Sequence, residues 1–87
     1  MGKDNPKYLL AINCALEHKW DDAHLIVQDI DTDIAQLIHA ILHKIEGDEA
    51  NSSYWYSRSG LGEFDPKFDP MTELREIKKN SCNLFII

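Results

Sequence analysis

His39, His43 and Glu46 follow one another at i, i+4 and i+7. On a helix that turns about 100° per residue, their side chains share a wedge roughly 60° wide. Two imidazoles one turn apart can hold zinc or another borderline metal ion, and a carboxylate one turn further on supplies a third ligand. His24, from the preceding segment, is a candidate fourth. The same wedge also reads as a solvated helix face on which Glu46 makes a weak ion pair with His43. Both readings, a metal or small-ligand site and plain surface histidines, follow from the spacing.

Other chemistry is not encoded in any motif. No serine or cysteine sits in a nucleophile elbow, and there is neither a phosphate loop nor a dinucleotide fingerprint. Catalysis is therefore not expected, and neither is a cofactor, zinc being the one the residues could take. Cys14 and Cys82 lack metal-ligand spacing, and two thiols suit a reducing cytoplasm better than a disulfide framework.

Nine basic against fifteen acidic residues leave a net charge of −6 over 87 residues. Such a surface repels phosphate backbones and anionic bilayers, so neither nucleic acid nor membrane is an expected partner. No apolar run approaches the roughly 20 residues a membrane span requires, and no signal segment opens the chain. The length predicts one domain near the lower limit for a single hydrophobic core.

The elements that must position the histidines read as helices. Asn5-Pro6 opens the first, with Leu9, Ile12 and Leu16 at helical spacing and Tyr8, Ala11 and Ala15 beside them. The second is expected to start at Asp21 as cap and to bury Ala23, Ile26, Val27 and Ile30. Asp31-Thr32-Asp33 supplies the next break. The third is the clearest, with Ile34, Leu37, Ile38, Ile41 and Ile45 on one face, nearly opposite the histidine wedge. Gly47 can end it in the left-handed conformation, and Asp48 can cap the fourth helix at once. That helix is expected to turn Ala50, Ser53, Tyr54 and Ser57 inward, with Tyr54 in the core. Trp55 or Tyr56 would then pack on a loop over 60–69 through Phe64 and Phe68, or stay partly exposed. Asp69-Pro70 predicts a short helix over 70–79 that buries Met71, Leu74 and Ile77, and the tail Leu84-Phe85-Ile86-Ile87 is expected to dock on the core. The predicted architecture is all-α: stacked antiparallel hairpins over 5–30 and 33–59, then a loop and C-terminal helix over 60–87.

Trp20-Asp21-Asp22-Ala23 echoes Gly47-Asp48-Glu49-Ala50, about 27 residues later. This layout is similar to tetratricopeptide repeats, whose standard period is 34 residues, and implies helix pairs packed closely through small residues. A second resemblance rests on Trp20, Ala23 and His24, then on His39, His43, Glu46, Gly47, Asp48, Asn51, Tyr54, Trp55 and Tyr56. A Trp-x-x-Ala-His segment followed by a His-x-x-x-His-x-x-Glu-Gly-Asp-x-x-Asn-x-x-Tyr-Trp-Tyr block resembles a family of small uncharacterised, mostly bacterial proteins. That resemblance implies a fold and no chemistry.

In stacked hairpins the first helix of each pair lines one surface. The leading expectation is accordingly a non-catalytic interaction module. His39 and His43, with Asn13 or Glu17, would meet another protein or a second copy of the chain across the first and third helices. Trp55 marks a second such surface. The alternative is a metal- or small-ligand-binding protein that uses His24, His39, His43 and Glu46.

Overall fold

The computed structural model describes residues 5–86, and their side chains over residues 7–79. Among the described residues the fold is all-helical: α1 (Asn5–Leu16), α2 (Trp20–Val27), α3 (Asp33–Ile45), α4 (Glu49–Ser59) and α5 (Pro70–Ile86). Two hairpins, α1–α2 and α3–α4, stack with α5 packed along α1 and α3. α5 runs seven residues past the expected end at 79. The side chains of Cys82 and of the tail Leu84–Ile87 lie outside the described residues. No described helix is long and apolar enough to cross a membrane.

Each hairpin turns by the same device. At the end of α3, the Asp48 N–H donates to the His43 carbonyl at 2.9 Å and the Gly47 N–H to that of Lys44 at 3.0 Å. Gly47 sits between them at φ +82°. At the end of α1, Lys19 donates to Cys14 at 2.8 Å and His18 to Ala15 at 3.0 Å, with His18 at φ +67°. Both are Schellman closures, which satisfy carbonyls that a helix end leaves free. A histidine tolerates the left-handed region better than most side chains, and its ring stacks edge-on against Trp20 with centroids 5.0 Å apart.

This geometry corrects the repeat register. His18 is equivalent to Gly47, and Lys19 to Asp48, the two N-cap positions. The structural interval is thus two residues longer than the one that pairs Trp20 with Gly47. In the true register Ala11-Ile12 matches Ala40-Ile41, and Ala23 matches Ser52, all fully buried. The second helix consequently starts at Trp20, not after Asp21. Lys19 makes no side-chain cap bond there, whereas Asp48 accepts from Asn51 N–H at 3.3 Å. Thr32 caps α3 as the Asp31-Thr32-Asp33 break implied, and its hydroxyl also bonds that of Tyr8 on α1.

α4 is rotated from its expected orientation. Ser52, Tyr56 and Ser59 face inward, while Ala50, Ser53 and Ser57 are exposed and Tyr54 keeps 55% of its surface. The reason is polar. The Ser52 hydroxyl donates to the Ala40 carbonyl at 2.7 Å, letting α3 and α4 approach closely. The Tyr56 hydroxyl donates to Glu73 Oε2 on α5 at 2.6 Å. Tyr54 has no such buried acceptor.

α3 is the central element, in contact with all four other helices. Its isoleucine face meets the core of Ile12, Tyr56 and Leu74, and its other face is covered as well, so His39 is only 8% exposed. Replacing Gly47 with alanine is expected to cost about 1 kcal/mol, entirely through the left-handed backbone, because an added Cβ meets nothing within 4 Å. Urea unfolding of the variant measures this. An unchanged midpoint would show that the turn carries no such demand.

Candidate metal centre

Three histidines converge from two hairpins. His24 projects from the middle of α2, and His39 and His43 project from successive turns of α3. One nitrogen from each lies within 4.8 Å of the others. The Nε2 atoms of His24 and His39 are 2.8 Å apart, which is hydrogen-bond distance, so one ring donates Nε2–H and the other accepts. His24 stands edge-on to both partners, with ring centroids 4.4 Å from His39 and 5.4 Å from His43. His39 and His43 stack at 4.9 Å.

Burial, reinforced by the His24 and His43 rings, lowers His39 from 6.5 to about 4. A ring so placed is neutral at physiological pH, the state in which imidazole offers a lone pair to a metal. Trp55 on α4 closes the outer face of His39, stacked at 4.2 Å and inclined by 23°. The Arg58 guanidinium lies 5.8 Å from the Trp55 ring centre.

Glu46 stands where the second reading of the spacing put it, paired with His43, and not as a third ligand. Its Oε1 lies 3.4 Å from His43 Nδ1, and Asp48 Oδ2 lies 3.6 Å from the same atom. The Nδ1 is buried with no hydrogen bond of its own. A carboxylate pair beside Nδ1 favours a proton there and leaves the Nε2 lone pair free. This is the second-layer arrangement that orients a metal-binding histidine. Glu46 therefore stands as a partner of His43 and is not itself grouped with the three histidine nitrogens. Asp48 is doubly used: its carboxyl, held below the usual range chiefly by the Asn51 side chain and backbone N–H, also caps α4.

The expected groove of α1 and α3 does not bring these residues together. The neighbours of His39 are on α2 and α4, and Glu17 of α1 instead pairs with Lys19 at 3.4 Å. Trp55, expected to form a separate surface, packs onto His39. Cys14 is half-buried against the core.

A second polar cluster escaped the sequence reading. Lys44, with a side chain only 7% exposed, pairs with Glu73 and donates to the carbonyls of Asp65 and Phe68, each at 2.9 Å. Its ammonium also lies 5.4–5.8 Å from the ring centres of Tyr56, Phe64 and Phe68. Phe64 thus anchors the loop as expected, though Phe68 remains 46% exposed. A cleft of about 740 Å³ opens between this loop and α3, α4 and α5, floored by Leu37, Ile41 and Ile77. None of the three histidines lines it. Of its inner polar groups, Tyr56 donates to Glu73 Oε2, and Oε1 is held by the Lys44 ion pair. Burial and the Glu73 carboxylate push the Tyr56 phenol well above its ordinary value. This cluster clamps a loop, and the histidine cluster is the one in which three metal-ligand nitrogens meet among the described residues.

The fold and site together define an all-helical protein with a three-histidine centre. No family model matches the chain, and no curated protein or solved structure matches it significantly.

Proposed function

We infer that the chain is a metal-binding protein that holds one borderline divalent ion, of the zinc type, on His24, His39 and His43. The observation that carries this reading is the convergence of three imidazoles within 4.8 Å, one of them held neutral by burial. Nitrogen donors select zinc, copper or nickel over magnesium or calcium, which require oxygen. On a tetrahedral ion with bonds of 2.0–2.1 Å, ligand nitrogens stand about 3.3 Å apart. The 2.8 Å between His24 and His39 needs an adjustment of only about half an ångström to reach that spacing. Glu46 and Asp48 support the reading as orienting groups for His43. It takes precedence over a partner-binding surface on α1 and α3, because His39, the centre of that surface, is engaged by His24 on α2 and Trp55 on α4.

Zinc titrated into the chelator-treated protein is expected to bind at one equivalent. The stacked Trp55 should report it by fluorescence in a Trp20→Phe background. His39→Ala and His24→Ala should each lower the affinity by more than about 100-fold, beyond the range for losing a mere orienting partner, because a direct ligand is gone. Glu46→Gln should cost less, because the loss of an orienting partner typically weakens binding by about 10–100-fold. Absence of saturable binding, or affinities indifferent to both histidine variants, overturns the reading.

A further inference from the structure

We propose that the ion held by these three histidines keeps one coordination position for a small anionic donor from solution, such as hydroxide or a carboxylate. The inference rests on the metal-binding reading and specifies what kind of centre it is. Zinc takes four ligands in a closed structural site, and three protein ligands with an open position in a reactive or exchanging one. Among the described residues just three donors meet. Each other candidate is committed elsewhere. The carboxylates of Glu46 and Asp48 lie beside Nδ1 of His43, and that of Asp48 also binds Asn51 through both oxygens, at 3.3 and 2.7 Å. His18 stacks on Trp20 in the α1–α2 turn. Cys14 packs against the core from α1.

Access and charge favour the same conclusion. Trp55 covers His39, and His24 and His43 are of intermediate burial, with 14% of the His43 side chain exposed, so the His24–His43 side is where the centre comes nearest to solvent. Three neutral imidazoles leave the ion's double positive charge uncompensated by its direct ligands. An anion is therefore the donor that gains most from the remaining position.

Cobalt(II) is the probe, because its visible spectrum reports coordination number and ligand exchange. The full chain loaded with one equivalent of cobalt should show bands that shift saturably when azide is added. Acetate should compete with azide for the same position. A Cys82→Ser variant should give the same cobalt spectrum and the same azide response. Cobalt bound with a spectrum inert to azide overturns the proposal while leaving the metal reading intact. So does a near-ultraviolet thiolate-to-cobalt band that Cys82→Ser abolishes, because the fourth ligand would then belong to the chain. Failure to bind either cobalt or zinc overturns the metal reading itself, and this inference with it.

Discussion

Replacing Lys44 with methionine is expected to destabilise the fold by about 3–5 kcal/mol, the range for removing one partner of a buried ion pair. The physical cause is the group left behind. Glu73 is 12% exposed, and without Lys44 its carboxylate has only the Tyr56 hydroxyl as a buried partner. The carbonyls of Asp65 and Phe68 lose their donor at the same time, which releases the 60–69 loop. For a chain of this length the loss amounts to roughly 12 °C or more in Tm. Glu73→Gln should cost less, since glutamine still accepts from Tyr56 and leaves a charged lysine stem able to reach solvent. The double variant Lys44→Met/Glu73→Leu should recover much of the deficit, because no unpaired charge remains inside. Thermal unfolding of the parent, Lys44→Met, Glu73→Leu and the double variant forms a double-mutant cycle. Limited proteolysis at the loop should follow the same order. A Lys44→Met midpoint within about 3 °C of the parent would reveal a surface-strength contact of under ~1 kcal/mol.

The sequence resolved what depends on local periodicity and turn chemistry. The stripe of Ile34, Ile38, Ile41 and Ile45, the left-handed Gly47 and the Asp48 and Thr32 caps are all where their residue types require. α4 failed because its apolar residues are few and spread around the axis. Ala50 and Tyr54 offered one inward face, and Ser52 and Tyr56 another. The choice was made by acceptors on other helices, the Ala40 carbonyl and Glu73, which no window of α4 contains. The repeat register slipped for a related reason. His18 performs the turn that glycine signals at position 47, so the alignment fell on Asp21-Asp22 and Asp48-Glu49. The site was legible in its members and not in its assembly. His39 and His43 were paired by spacing, but the rank of His24 depends on how the two hairpins stack. That stacking brought the α2 histidine in, whereas the pairing of Glu46 with His43 is a local i,i+3 contact that the spacing already offered. Lys44 and Glu73 are separated along the chain by the whole of α4 and the loop, beyond any local pattern.

The second large effect is expected from acid. His39 titrates near 6.5 when unfolded and at about 4 in the fold. Between those values the unfolded chain binds the extra proton and the folded chain does not, so stability falls as pH drops through that window. The contribution is complete above pH 6.5 and exhausted near 4, and at most it is worth about 3 kcal/mol. Asp48 and Asp69, the capping carboxylates, are also held below their ordinary range, by Asn51 and by the Thr72 N–H respectively. Their contributions persist to lower pH and are lost only as pH falls below the usual carboxylate value of 3.8. The upper window therefore isolates the histidine cluster. Urea unfolding of the metal-free protein from pH 7 to pH 4.5 should show a steady loss that His39→Gln, with no proton to gain, largely removes. One equivalent of zinc should raise stability at pH 7 by a margin that grows with free metal, and it should steepen the acid loss, because protons and metal compete for the same nitrogens. A parent protein equally stable at pH 6.5 and pH 5 would mean that His39 takes up its proton within the fold. The neutral, buried imidazole that supports the proposed metal centre would then be lost.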